Sequence, residues 1–167
     1  RAMAETPRHD AWQAGDSYDA YMGRWSRQVA PRFLDWLAPP SGVDWLDVGC
    51  GTGALTAAIL GACEPASIVA LDPSAGFIDK ARAAVSDPRV EFLIGDAQAL
   101  PVADRCKDVI ASGLVLNFVP DRAKALHEMQ RVARAGAIVG FYLWDYPGGG
   151  IEFMRAFWMA ATSLDPG

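Results

Sequence analysis

Three aspartates beside apolar runs are the side chains in this sequence best suited to hold a polar ligand. Asp72 ends one such run, Asp96 follows the next, and Asp47 lies in an earlier one. A carboxylate can accept hydrogen bonds from both hydroxyls of a ribose, each contributing about 1.5–3 kcal/mol, and it can attract a cation. Three acids with little positive charge beside them would repel a pyrophosphate. The set therefore indicates a ligand that carries hydroxyl and cationic groups and no phosphate.

The segment after Asp47 predicts a tight glycine loop between a strand and a helix. Glycines stand at positions 49, 51 and 53, and the helix-like run 54–60 follows them. Glycine allows a positive φ and a close approach of the backbone to a ligand. The helix N-terminus then offers unpaired N–H groups to an anionic group. Strand, loop and helix in this order are the opening unit of a doubly wound nucleotide-binding fold.

Strand and helix patterns alternate along the rest of the chain and predict an α/β fold with a doubly wound, mostly parallel sheet. The predicted strands cover residues 43–48, 67–72, 90–94, 108–112 and 137–143, with helices beginning near residues 30, 54, 74 and 121. Pro31 suits the first turn of the earliest helix. Ser74 and Asp121 are suitable N-caps for two later helices.

The predicted parallel sheet would bring distant residues to one edge. The carboxyl ends of parallel strands meet there, so we expect Asp47, Asp72, Asp96 and residues 113–117 to be neighbours in space. NAD-binding folds place a ribose-binding acid where Asp72 stands. Asp72 alone therefore does not distinguish a dehydrogenase from other proteins that bind a nucleoside.

The two ends of the chain carry their own patterns. We predict a loose leader at residues 1–16 and a single domain over residues 17–167. The segment 17–26 is rich in aromatic residues. It either packs an aromatic face on the core or forms a flap over the ligand site, with Arg24 facing a carboxylate. Residues 151–161 predict a final amphipathic helix.

Composition and charge limit the classes of partner and location. The formal net charge is −5, and no basic block alternates with aromatics, so nucleic acid is a poor partner. No apolar run approaches the ~20 residues that span a bilayer. The three cysteines have no metal-like spacing and cannot all pair. We therefore expect reduced thiols, no metal site and a cytoplasmic location.

Four motifs, in order along the chain, resemble those of class I S-adenosyl-L-methionine-dependent methyltransferases. They are Asp47-Val48-Gly49-Cys50-Gly51-Thr52-Gly53, Asp72-Pro73-Ser74, Gly95-Asp96-Ala97, and Ser112-Gly113-Leu114 with Asn117-Phe118-Val119-Pro120-Asp121. The resemblance covers about residues 18–146 and is strongest to the small-molecule branch that includes the quinone-biosynthesis enzymes. It implies a Rossmann-like fold, S-adenosylmethionine as cofactor and methyl transfer to a small-molecule acceptor.

The resemblance also implies roles for particular residues, carried over by position. At the methionine end of the cofactor, Tyr18 and Arg24 would close over the methionine part, Gly49, Cys50 and Gly51 would lie beside it, and Asp47 would stabilise the loop or bind the amino group. At the ribose, Asp72 would bind the hydroxyls, and Leu114 would line the far side of the site. At the adenine, Pro73 would border the ring, and Asp96 and Ala97 would hold its edge. Asp47 could instead only fix the loop, Asp72 and Asp96 could be solvated acids, and Tyr18 and Arg24 could only pack.

Of three departures from the family pattern, one lies at residues 105–107, where relatives usually carry an aromatic residue before strand four, and two bear on the predicted function. Asn117 stands where many relatives carry a histidine, so we assign no catalytic base. The family sheet has seven strands, of which the last two form an antiparallel hairpin, and this chain lacks a pattern for them. We therefore expect a C-terminally incomplete domain. Two other functions stay open: a non-catalytic S-adenosylmethionine-binding module and, less favoured, a NAD-dependent oxidoreductase.

Overall fold

The computed structural model describes residues 23–145, in which helices and strands alternate except between the third and fourth strands. In chain order they are α1 (Arg24–Leu37), β1 (Asp44–Val48), α2 (Ala54–Ala62), β2 (Ser67–Asp72), α3 (Ala75–Ala84), β3 (Val90–Ile94), β4 (Lys107–Gly113), a short 3₁₀ helix (Leu116–Phe118), α4 (Arg122–Val132) and β5 (Ala133–Tyr142). All strand pairs are parallel, and the strand order is β3-β2-β1-β4-β5. The predicted α/β class and parallel sheet are confirmed.

Apolar side chains form a separate layer on each face of the sheet. Trp45 and Leu46 are neighbours in β1, and both are fully buried because they point to opposite faces. Trp45 packs with Ile59 of α2 in the first layer, and Leu46 packs with Met129 of α4 in the second. Burial on both faces explains why the strands read as continuous apolar runs rather than alternating ones.

The order of the strands reverses at β1. The chain proceeds from β1 outward to β2 and β3, and β4 then pairs with the other side of β1. In such sheets, ligands bind beyond the carboxyl ends of the strands where the order reverses. That position falls between the ends of β1 and β4, and the glycine loop follows β1 directly.

Two boundaries differ from the predicted ones by more than one residue. Helix α1 begins at Arg24 rather than near residue 30, and Pro31 lies inside it. Pro31 is exposed, so its ring lies on the solvent side of the helix. Strand β5 begins at Ala133 rather than residue 137, and its register against β4 shifts after that residue. Gly136, whose φ is +82°, lies within this irregularity.

Some predicted features lie outside the described residues. These are the leader at residues 1–16, Tyr18 and the helix at residues 151–161. Between residues 23 and 145, none of the helices has both the length and the apolar character needed to cross a membrane. The same residues contain no cluster of three or more histidine, cysteine or acidic side chains that could hold a metal ion.

Candidate cofactor-binding site

The glycine loop after β1 is fixed by backbone hydrogen bonds to the neighbouring strand. The N–H groups of Gly49 and Cys50 both donate to the carbonyl of Leu71, at 2.8 and 2.9 Å. Gly49 has a φ of +76°, and a Cβ added to it would lie 2.5 Å from the Val115 side chain. Only glycine fits this position. The Cys50 thiol is buried, and burial raises its pKa, so it is not a nucleophile in this state.

Gly51 has a different environment from Gly49. Its φ is +53°, but a Cβ added to it would meet no atom within 4 Å, so this side of the loop faces open space. Its N–H donates to Asp72 Oδ2 at 3.1 Å. Gly53, with a φ of +91°, then begins α2. The loop thus presents bare backbone next to a helix N-terminus, which suits close contact with a ligand.

Asp47 is fully buried at the base of this loop. Its Oδ2 accepts a 2.6 Å hydrogen bond from the hydroxyl of Thr56 in α2. Its Oδ1 has no hydrogen-bond partner within the part of the chain that the structure describes. Burial raises the pKa of Asp47 to about 7; the Thr56 hydrogen bond opposes the rise, and the charge of Asp72 adds to it. Asp47 thus has one buried oxygen whose acceptor positions no described residue uses.

Asp72 ends β2 and is held in a single orientation by two backbone donors. Its Oδ1 accepts from the N–H of Ser74 at 2.9 Å, and its Oδ2 accepts from Gly51 as described above. Burial raises its pKa, and these two hydrogen bonds oppose the rise. Each carboxylate oxygen keeps a further acceptor position. The exposed Pro73 separates Asp72 from Ser74, which caps α3 as predicted.

The segment after β3 completes this side of the edge. The N–H of Gly95 donates to the Asp72 carbonyl at 3.1 Å, which joins β3 to β2 beyond their last paired residues. Asp96 is exposed, and its Oδ1 accepts from the backbone N–H of Gln98 at 2.8 Å. Ala97 is buried in the second apolar layer, so its side chain belongs to the core.

The other side of the edge is formed by the ends of β4 and β5. Leu114 is buried with a φ of +60°, and its N–H donates to the carbonyl of Tyr142 at 2.8 Å. Asn117 donates its side-chain amide to the Trp144 carbonyl at 3.1 Å and accepts from the Trp144 N–H at 3.0 Å. Its amide is therefore committed to holding the end of β5. The Tyr142 hydroxyl lies against Gly113, where a Cβ would collide with it.

Arg24 lies at the start of α1 and is exposed. One turn further on, Arg27 lines an open cavity of about 490 Å³ together with Thr52 and Gly53 of the loop. The N-terminal end of α1 therefore lies on the loop side of the domain. Tyr18, the other residue assigned to this side, is outside the described residues.

The sequence interpretation missed two side chains at this edge. Thr56 was read only as part of an apolar helix, although it is the one hydroxyl in residues 54–62. Tyr142 was read only as the end of a strand. The structure brings the Thr56 hydroxyl to Asp47 through a hydrogen bond. Burial raises the pKa of Tyr142, and the charge of Asp47 adds to the rise.

These features define the class of the protein as a Rossmann-like α/β domain. The glycine loop, Asp72 and Asp96 stand at the ends of the adjacent strands β1, β2 and β3. Comparison with known families then identifies the group. The chain matches the model described as "Methyltransferase domain" over residues 46–141, more than half its length, and it belongs to that family.

Two curated relatives and one solved structure illustrate the match. The chain is 33% identical over 132 residues to the malonyl-[acyl-carrier protein] O-methyltransferase of Yersinia pestis, covering 77% of this chain and 46% of that protein. It is 38% identical over 102 residues to the demethylmenaquinone methyltransferase of a Roseiflexus species, covering 61% and 43%. A putative S-adenosyl-L-methionine-dependent methyltransferase from Methanococcus maripaludis superposes with a TM-score of 0.68 at 22% identity, covering 99% of this chain and 77% of that one.

The extent of these matches differs between sequence and structure. The chain spans about half the length of the curated relatives it matches. The structural neighbour, at 22% identity, supports the fold alone. Together, the family match and the fold identify a class I S-adenosylmethionine-dependent methyltransferase domain, as the motifs predicted.

Proposed function

We propose that this protein binds S-adenosylmethionine along the carboxyl edge of the sheet and transfers its methyl group to a small-molecule acceptor. The observation that carries the proposal is Asp47, a buried acid at the base of the glycine loop with one oxygen unpartnered among the described residues. A cationic ligand group would give this oxygen its missing partner. The family match supports the same cofactor.

The residues present fit such a cofactor. Asp72 has a free acceptor position on each oxygen for a ribose hydroxyl, and the open space at Gly51 lies directly beside it. Asp96 is exposed one strand further out, where it can accept from an adenine amino group. The cofactor would therefore lie across β3, β2 and β1, with its adenosyl part on β2 and β3.

The same arrangement disfavours NAD. A pyrophosphate laid on this loop would meet the carboxylates of Asp47 and Asp72, and its charge would have to be offset by cations. The positively charged sulfonium and ammonium groups of S-adenosylmethionine would instead be attracted by these carboxylates. We therefore rank the dehydrogenase reading below the methyltransferase.

The main contribution of the protein to methyl transfer is to position the cofactor and the acceptor. When bound, the cofactor supplies an electrophilic methyl group on a positively charged sulfur. The chain's contribution is to hold the donor and acceptor about 3–3.5 Å apart and in line, which can remove several kcal/mol of barrier. We assign no catalytic base, and Asn117, whose amide is bonded to Trp144, does not supply one.

The proposed acceptor class is a small molecule, free or attached to a carrier. The named relatives support this class, since one is named for malonyl-[acyl-carrier protein] and one for demethylmenaquinone.

The three cysteines are all free. A cytoplasmic location and the absence of a nucleic-acid partner belong to the same proposal.

Calorimetric titration with S-adenosylhomocysteine and, separately, NADH tests the cofactor assignment. We expect binding of S-adenosylhomocysteine only; binding of NADH alone would contradict the proposal. Replacing Asp72 by Ala removes the acceptor for the ribose and should weaken binding by one to two orders of magnitude, or about 1.5–3 kcal/mol. Glu91→Gln, which removes an exposed acid of β3, is the control and should bind normally.

Methyl transfer is tested with a panel of malonyl thioesters, quinols, phenols and amines and labelled cofactor. Transfer to any member supports the enzyme assignment. Cofactor binding without transfer to any of them would favour a non-catalytic binding module instead.

A further inference from the structure

The hydroxyl of Tyr142 is buried and makes no hydrogen bond to the residues that the structure describes. Tyr142 ends β5, and its ring packs on Phe33 of α1 with centroids 4.9 Å apart. Its Oη is buried, yet no residue in the described range 23–145 bonds it. The hydroxyl lies over Gly113, the only residue type that leaves room for it there. A buried hydroxyl without a partner costs stability, so the fold alone gives no reason to keep it.

A second unpartnered oxygen lies on the same side of the sheet. Asp47 alternates with Leu46 and so shares the face of Trp45, in the apolar layer that also contains Phe33. The Oδ1 of Asp47 is an acceptor without a donor, whereas the hydroxyl of Tyr142 is a donor without an acceptor. Burial, together with the charge of Asp47, raises the pKa of Tyr142, so the hydroxyl stays protonated and able to donate.

The order of the strands says which end of a ligand these two groups would meet. Along the edge, Asp72 lies on β2, Asp47 on the central strand β1, Gly113 on β4 and Tyr142 on β5. A ligand whose nucleoside is held at Asp72 extends across β1 toward β4 and β5 at its other end. That end of S-adenosylmethionine is an amino acid, which carries one ammonium and one carboxylate.

We propose that Tyr142 positions the amino-acid end of the cofactor by donating a hydrogen bond to its carboxylate, directly or through one water, next to the ammonium that the family resemblance assigns to Asp47. This inference rests on the proposed function, because it needs the cofactor in the crevice. It adds a specific binding residue on β5, opposite the nucleoside side.

The test compares two ligands that differ only at this end. S-adenosylhomocysteine has the amino-acid group, and 5′-methylthioadenosine lacks it. Tyr142→Phe should weaken S-adenosylhomocysteine about tenfold and leave 5′-methylthioadenosine within about twofold of the parent chain. Asp47→Asn should show the same selectivity. Asp72→Ala is the contrast, because loss of the ribose acceptor should weaken both ligands alike.

Thermal unfolding without ligand supplies an independent readout. Tyr142→Phe removes an unpartnered hydroxyl and should leave the melting temperature unchanged or raise it by roughly 2–4 °C. Ser112→Ala is the matched control: it removes a buried hydroxyl that donates to the Val48 carbonyl at 2.8 Å, and it should lower the melting temperature. A fall for both variants would assign the Tyr142 hydroxyl to the fold.

Other outcomes also decide the matter. Equal weakening of both ligands by Tyr142→Phe, or no change in either, overturns the inference while leaving the proposed function intact. A lower kcat with unchanged S-adenosylhomocysteine affinity would place Tyr142 at the acceptor and also overturns it. If the parent chain binds neither ligand, the proposed function fails and the inference fails with it.

Discussion

Asp47 should make the stability of the ligand-free protein depend on pH, and Asp47→Asn should remove that dependence. The folded protein holds this carboxyl with a pKa of about 7, against an ordinary value of 3.8 in the unfolded chain. Between these values the folded state retains a proton that the unfolded state has lost. The contribution of Asp47 to stability is therefore fully present below pH 3.8 and is lost as the pH rises through 7.

The size of the effect follows from the two pKa values. The whole difference corresponds to about 4 kcal/mol, of which about 2–3 kcal/mol is lost between pH 5 and pH 8. Asparagine keeps the shape of the side chain and can still accept from the Thr56 hydroxyl, but it carries no charge. We therefore expect the stability of Asp47→Asn relative to the parent chain to increase by about 2–3 kcal/mol from pH 5 to pH 8.

Urea unfolding followed by tryptophan fluorescence at several pH values measures this quantity. Asp72, whose pKa is also raised by burial, titrates in both proteins, so its effect largely cancels in the comparison. Glu91→Gln removes the same charge from an exposed position and controls for net charge. A difference between Asp47→Asn and the parent chain that is the same at pH 5 and pH 8 would refute the reasoning.

Two further predictions concern the support of Asp47 and the loop above it. Thr56→Val removes the hydroxyl that donates to Asp47 Oδ2 at 2.6 Å, and it should destabilise the protein by about 1.5–3 kcal/mol at pH 8 and by less at pH 5. Thr56→Ser should retain most of the stability. A pH-independent loss in urea unfolding would argue against a charged partner. Gly49→Ala should lower the free energy of unfolding by about 2–4 kcal/mol, because its Cβ would lie 2.5 Å from Val115 at a positive φ. Gly51→Ala should lower it by only about 1–2 kcal/mol but should weaken the binding of S-adenosylhomocysteine at least about tenfold. An equal loss of stability for the two variants would contradict the open space at Gly51.

The sequence was sufficient for the framework of the site. Parallel strands end at one edge, so reading Asp47 and Asp72 as strand-end acids already made them neighbours. The N-caps Ser74 and Asp121 were predicted from local chemistry alone. The structure confirms both, because their side chains accept from the N–H groups of Phe77 and Lys124.

The sequence was insufficient where the outcome depends on neighbours in space. Thr56 looks like any residue of an apolar helix until the packing of α2 places its hydroxyl 2.6 Å from Asp47. The role of Tyr142 depends on the register of β5, which shifts against β4 near Gly136. Helix α1 begins at Arg24 and contains Pro31 at an exposed position, which a propensity argument does not reveal.

The two unpartnered oxygens connect the stability of this domain to its proposed function. Asp47 Oδ1 and Tyr142 Oη each lose hydration on folding without gaining a protein partner from the described residues. Asp47 lies on β1, where the strand order reverses, and the Tyr142 hydroxyl lies over Gly113 of the neighbouring strand β4. Replacing Asp47 and Tyr142 by apolar residues would remove the cost of burying these two oxygens. Binding of a ligand that supplies a donor to one oxygen and an acceptor to the other gives a physical reason why the polar side chains are present. The amino-acid end of S-adenosylmethionine supplies both.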